Sequence, residues 1–250
     1  MFVLPINRDK SPEHTPYVTV ALIVLNSVIW AGLALSGLNN QVIFEYGIRP
    51  AHWTWVTLFS HMFLHAGFFH VAGNMWFLWM FAPKLEERMG RVVFLLAYLA
   101  GGVGAAGLYT LLTPESMLPL VGASGAISGV AGMYFLLYPR SPFDLVLYVG
   151  WWTLKTFKSQ TRAAVGIWIG EQLLLGLITS TLASSSIAFW AHVGGFITGI
   201  GIAGLVASRA TPEEQEAILR PKPLSEEEKD EMFADRVAQE SDMTTLKLNG

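Results

Sequence analysis

The 250-residue chain has no cysteine, which removes disulfides, thiol nucleophiles and cysteine-based metal sites from consideration. Charge is scarce too. Asp, Glu, Lys and Arg make up 14% of the residues, and a net charge of −3 gives no general pull toward nucleic acid. The opening MFVLPINRDKSPEHTPY lacks the basic, apolar, small-residue order of a cleaved signal peptide, so the first long apolar run is expected to remain as an anchor. Acids are almost absent from the expected spans. Glu171 is the one acid expected within a span, so the two carboxylates an aspartyl mechanism needs are not offered there.

What is present is apolar. Hydrophobic residues account for 52%, in long runs through the first 210 residues, so the medium around most of the chain is expected to be a lipid bilayer. Six spans are expected, at 18–37, 67–82, 92–112, 123–138, 163–182 and 187–207, with Pro83, Pro114 and Pro139 marking three boundaries. The second and fourth are short, about 24 Å of helix at 1.5 Å per residue. The predicted fold class is all-α, a polytopic six-helix bundle over 18–208, with a cytoplasmic segment 1–17 before it and a cytoplasmic tail 209–250 after it. From Thr211 onward the tail holds eleven acids against five bases and is expected to be solvated. Ser225 with Glu228 three residues later is a capping-box pattern opening a short acidic helix to about Gln239.

Basic residues set the orientation. Arg8, Lys10, Lys84, Arg88, Arg91, Arg140, Lys155, Lys158, Arg162 and Arg209 all fall on the side holding the N-terminus, and Arg49 alone falls opposite. Both termini are therefore expected in the cytoplasm. The connection 38–66 carries Trp53, Trp55, Phe59 and Phe63, with Phe68 just beyond, and aromatics of this kind favour the membrane interface. The FDLVLYVGWWTLKTF stretch is read as a similar interfacial segment on the inner side.

With that orientation, spans two, four and six begin on the outer side, and near their starts lie His70 and Asn74, Ser124, and His192. Ser124 stands between Gly122 and Gly125, close to the first residue of its span. A serine hydroxyl needs a neighbouring base to become a nucleophile, and a helix start directs free N–H groups toward a developing oxyanion. His192 is followed by Gly195 and Gly199, a GxxxG face able to dock on Gly125 and Gly129 and bring the imidazole within reach of Ser124. His70 and Asn74 lie four apart on one helical face, and both can donate hydrogen bonds to an oxyanion. The plainer alternative for each is structural: small residues packing helices, and polar side chains bonded to carbonyls. His61, His65 and His70 invite a metal reading, but no local carboxylate completes one and no metal or cofactor is expected.

GASGA around Ser124, AHVGGFITG around His192 and HAGFFHVAGN from His65 to Asn74 resemble, in order, the three signatures of the rhomboid proteases, and Glu87-Arg88-Met89-Gly90 resembles that family's turn after its second helix. The resemblance implies a Ser124–His192 dyad with no orienting aspartate, and an oxyanion hole from the Ser124 N–H with His70 and Asn74. It implies a serine endopeptidase whose substrates are single-span membrane proteins, cut within or beside the span. It also implies a path for water, lined by Ser60, His61, His65 and Ser128, and a gate formed by the fifth helix and residues 180–186. Val56-Thr57 stands where many rhomboids carry Trp-Arg, a departure that bears on loop–lipid contact. A compact chain of this kind is expected in a bacterial plasma membrane. Two other readings compete: a rhomboid-like pseudoprotease that binds membrane clients uncut, and a small transporter using the histidines as a proton relay.

Overall fold

A computed structural model of the chain describes residues 2–7, 13–149, 152–181 and 189–219. The chain divides into two compact units, residues 1–210 and 211–250. In the second unit the described residues form one short helix, α9 (Pro212–Leu219), with proline in its first turn, where the missing N–H costs nothing. The helix expected from Ser225 lies outside the described residues.

The first unit is built around α6 (Ser124–Leu137), a helix of 14 residues, or about 21 Å. It is buried along nearly its whole length because its glycines and alanines let other helices close in from several sides. α5 (Arg91–Leu112) and α8 (Phe189–Ala207) flank it. α1 (Tyr17–Ser36), α4 (Phe68–Met89) and α7 (Thr161–Thr181) stand farther out. Val24 and Val28 of α1 and Leu174 and Leu177 of α7 are exposed, as side chains facing hydrocarbon would be. Among the described residues, four helices are long and apolar enough to cross a membrane: Tyr17–Ser36, Arg91–Leu112, Thr161–Ile178 and Phe189–Ala207. α6 is apolar but shorter, and α4 ends in a charged turn with Lys84, Glu86, Glu87 and Arg88.

Pro83 does not end the helix that begins near residue 67. α4 runs through it to Met89, two turns beyond the expected boundary, and stops at Gly90, whose φ of 78° is closed to most side chains. The added turns have a purpose in packing. The buried Glu86 carboxylate accepts from the N–H groups of Val18 and Thr19 at 2.9 and 2.8 Å and from the Thr19 hydroxyl at 2.8 Å. It thereby caps α1, whose first N–H groups have no partners within their own helix.

The long connection after α1 holds α2 (Asn39–Tyr46), a 3₁₀ turn at Pro50–His52, α3 (Trp55–Ser60) and a second 3₁₀ turn at His61–Phe63. Thr54 and Thr57 cap α3 reciprocally. Paired hydrogen bonds between Ile48 and Leu120 tie the connection to the segment just before α6. Trp55, Val56 and Phe59 point outward.

Beside the helices lies a sheet that composition did not announce. β1 (Phe2–Asn7), β2 (Pro142–Val149) and β3 (Trp152–Gln160) form three antiparallel strands in that order. The described residues of the FDLVLYVGWWTLKTF stretch are thus in two strands. Phe143 of β2 stacks on Phe81 of α4, ring centroids 5.8 Å apart. Asn7 of β1 donates to Met80 O and to the Tyr134 hydroxyl, at 2.8 and 3.0 Å. These contacts seat the sheet against the end of the bundle where α4 and α6 finish.

Candidate active site

Ser124 is the first residue of α6, where backbone N–H groups have no helical acceptor. The two residues before it are held from the long connection. Gly122 N donates to His61 O at 2.9 Å, and Ala123 N donates to His65 Nε2 at 3.4 Å. Gly122 has φ 120°, a conformation that essentially only glycine adopts. It is also crowded. A Cβ at this position would stand 2.7 Å from His70 Nε2 and 3.6 Å from Ser124 Oγ, so the imidazole and the hydroxyl flank the same bare backbone.

His192 comes one turn into α8. Its helix meets α6 along glycine: a Cβ on Gly195 would run into the Gly125 carbonyl, and one on Gly199 into the Gly129 carbonyl. Ala191 O, next to His192 in the chain, lies 3.9 Å from where a Cβ on Gly125, next to Ser124, would stand. The contact therefore runs directly beneath Ser124 and His192. His192 Nδ1 is 2.7 Å from Gln172 Oε1 on α7, and the ring of Trp168 lies 5.9 Å away, tilted by 38°.

On α4, His70 Nδ1 accepts from Ala66 N at 3.4 Å, which leaves Nε2 to carry the hydrogen of the neutral ring. That is the nitrogen beside Gly122. Asn74, one turn on, is buried, and its Nδ2 has no partner among the described residues. A buried donor without an acceptor is costly, and it is available to whatever occupies the space beside it.

That space is a cavity of about 530 Å³ lined by His70, Asn74, Ser124, Ser128 and His192. It extends along α4 and α7 past Phe77, Phe81 and Trp168 to Phe143 and Leu145 of β2. The rest of its lining is mostly apolar. Glu171 borders it, largely exposed. Ser128 lines it while its hydroxyl donates to Ser124 O at 2.7 Å.

The other residues expected along a water path have partners in the connection and before α6. Ser60 Oγ donates to Tyr46 O, and His61 and His65, 1% and 0% exposed, brace the connection and the Gly122–Ala123 backbone. Burial holds His61 down to about 4, against its hydrogen bond to Thr57 O. Burial, and then the neighbouring His70, holds His65 down to about 4 as well. Among the described residues, no cluster of His, Asp and Glu could hold a metal ion. Of the expected gate, the helix is α7, while residues 182–186 lie outside the described residues.

Two neighbours of the imidazole were not foreseen. Gln172 and Trp168 lie four apart on one face of α7. The available signal was a carboxamide inside an apolar run, overshadowed by the acid next to it.

A family model described as the rhomboid domain matches residues 52–209. The chain is 35% identical to the putative rhomboid protease YdcA of Bacillus subtilis over 135 residues, 52% of this chain and 66% of that one. It is 37% identical to RHOMBOID-like protein 2 of Arabidopsis thaliana over 142 residues, covering 57% and 39%. It is 28% identical to rhomboid protease GluP of Bacillus subtilis over 190 residues, covering 74% and 34%. The chain thus spans from about a third to two thirds of the length of these relatives.

Proposed function

From the premise that the chain belongs to the rhomboid family and is an integral, multi-pass membrane protein, we propose that it is an intramembrane serine endopeptidase. Its substrates on this reading are single-span membrane proteins, cut within or beside the span. Ser124 is the nucleophile and His192 the general base. The Ser124 N–H, His70 and Asn74 form the oxyanion hole. The observation that carries the proposal is the convergence of these four residues from three helices on one cavity. The relatives named as rhomboid proteases support the same reading.

The steps follow from the chemistry of each group. His192 Nε2 takes the Ser124 proton as Oγ attacks the scissile carbonyl carbon. The carbonyl oxygen becomes an anion, met by the N–H of Ser124, by His70 Nε2–H and by Asn74 Nδ2–H. His192 returns the proton to the leaving amine as the C–N bond breaks. A water molecule, deprotonated by the same imidazole, then releases the acyl group and restores the hydroxyl. A substrate segment reaches the serine extended, and the apolar length of the cavity between α4 and α7 accommodates the adjoining part of its span. The proposed setting is a bacterial plasma membrane with both termini cytoplasmic, which matches the basic residues Lys84, Arg88, Arg91 and Arg140 gathered at one end.

Cleavage of a model single-span substrate by the full chain in liposomes tests the proposal. Wild type should produce two fragments, and Ser124→Ala and His192→Ala should produce none. Cleavage that persists at the wild-type rate in Ser124→Ala would overturn it. An intact substrate that nevertheless co-purifies with wild type would favour the pseudoprotease reading.

A further inference from the structure

We propose that Gln172 is a positioning residue that fixes the tautomer and the orientation of His192. The inference rests on the reading of Ser124 and His192 as a dyad, and deepens it. Gln172 sits in the apolar helix α7 yet is only 7% exposed, and burying a carboxamide is unfavourable unless its polar atoms are bonded. Its oxygen is 2.7 Å from His192 Nδ1, a short contact for a neutral pair.

The direction of that bond has a chemical consequence. A carboxamide oxygen only accepts, so Nδ1 must donate. A neutral imidazole carries one N–H, so with the hydrogen on Nδ1 the lone pair is on Nε2. Nε2 is the nitrogen that must take the Ser124 proton, and the opposite tautomer would present an N–H to the hydroxyl and could not act as its base.

Trp168, one turn earlier on the same face, packs against the imidazole ring. α7 therefore holds His192 at an edge and across a face, and turns a flexible side chain into a base of defined aim. Glu171 next to it borders the cavity but is largely exposed. Gln172 is not one of the residues lining the cavity, so it bears on the base rather than on the substrate.

The test is the cleavage kinetics of the full chain in liposomes, comparing wild type with Gln172→Met, Gln172→Asn, Gln172→Glu and Ser124→Ala. Methionine keeps the bulk and removes the acceptor, and asparagine keeps the carboxamide but withdraws it from Nδ1. Both should lower kcat about 10- to 100-fold, part of the 10²–10⁴ that a positioned base contributes, while KM stays within about twofold of wild type. Glutamate restores an acceptor at the same reach, so Gln172→Glu should recover kcat to within a few-fold of wild type. Asparagine also guards against a methionine variant that fails to fold. Wild-type kcat in both Gln172→Met and Gln172→Asn, with Ser124→Ala inactive, overturns the positioning role and leaves the dyad standing. Equal loss in the methionine, asparagine and glutamate variants likewise overturns it, because packing alone would then explain the effect. Full activity in Ser124→Ala removes the dyad and this inference with it.

Discussion

Replacing Gly195 with alanine adds one methyl group at the closest point between α6 and α8. The new Cβ would lie 3.0 Å from the Gly125 carbonyl carbon and 3.3 Å from Gly129 N, and nearer still to Gly125 O. Comfortable contacts between carbon atoms begin near about 3.5 Å, so the helices must part by on the order of 1 Å. Backbone atoms cannot swing aside as a side-chain end can. Overpacking of this kind costs about 1–3 kcal/mol, more than the roughly 1 kcal/mol that alanine gains over glycine within a helix. Because the contact lies directly beneath Ser124 and His192, the same displacement separates base from nucleophile, and a misplacement of about 1 Å lowers a rate by about 100-fold. Gly201 and Gly204 lie on the same helix with nothing within 4 Å of their added methyl, and serve as controls. Cleavage in liposomes and denaturant-induced unfolding in detergent should both show Gly195→Ala impaired, and Gly201→Ala and Gly204→Ala equal to wild type or slightly more stable. If Gly195→Ala matched Gly201→Ala in both measurements, the idea that bare backbone contact sets the distance between the two groups would be refuted.

Asn74→Ala removes a buried donor at the cavity and should lower kcat by about 10²–10³-fold with little change in KM; an unchanged kcat would remove Asn74 from the oxyanion hole. Glu86→Ala strips the cap from α1 and should destabilise the protein by about 2 kcal/mol, seen as earlier unfolding, while the activity per folded molecule stays at the wild-type level. His61 and His65 hold their protons less tightly in the folded chain than in the unfolded one. Their contribution to stability is therefore complete above about pH 6.5 and declines as the pH falls toward about 4, at up to about 1.4 kcal/mol per pH unit for each ring. Unfolding followed between pH 7.5 and 4.5 checks this, and His61→Gln should flatten the decline.

The sequence exposes those parts of the molecule that depend on local pattern. Apolar runs mark α1, α5 and α8 to within two residues at each end, because every backbone group in a lipid-facing segment must be bonded inside its own helix. The convergence of His70, Asn74, Ser124 and His192 on one cavity is legible because all four fall near the expected starts of their apolar runs. What depends on distant partners is not legible. The pairing of Phe2 with Tyr148 joins the start of the chain to a segment between α6 and α7, and nothing in either strand names the other. The turn of α4 past Pro83 is stabilised by Glu86, which binds the start of a helix nearly seventy residues earlier. Gln172 is invisible for the same reason: a lone carboxamide acquires a role only when His192, twenty residues on, is folded against it.

The central claim is that the Ser124 hydroxyl is made nucleophilic by its surroundings. Mass-spectrometric mapping of a fluorophosphonate adduct on the full chain in its membrane measures this most directly. A single adduct on the peptide carrying Ser124, absent from Ser124→Ala and formed far more slowly in His192→Ala, is the predicted result. An adduct that forms equally well in Ser124→Ala, or a wild-type chain that cleaves its substrate yet never takes up the probe at Ser124, would contradict it.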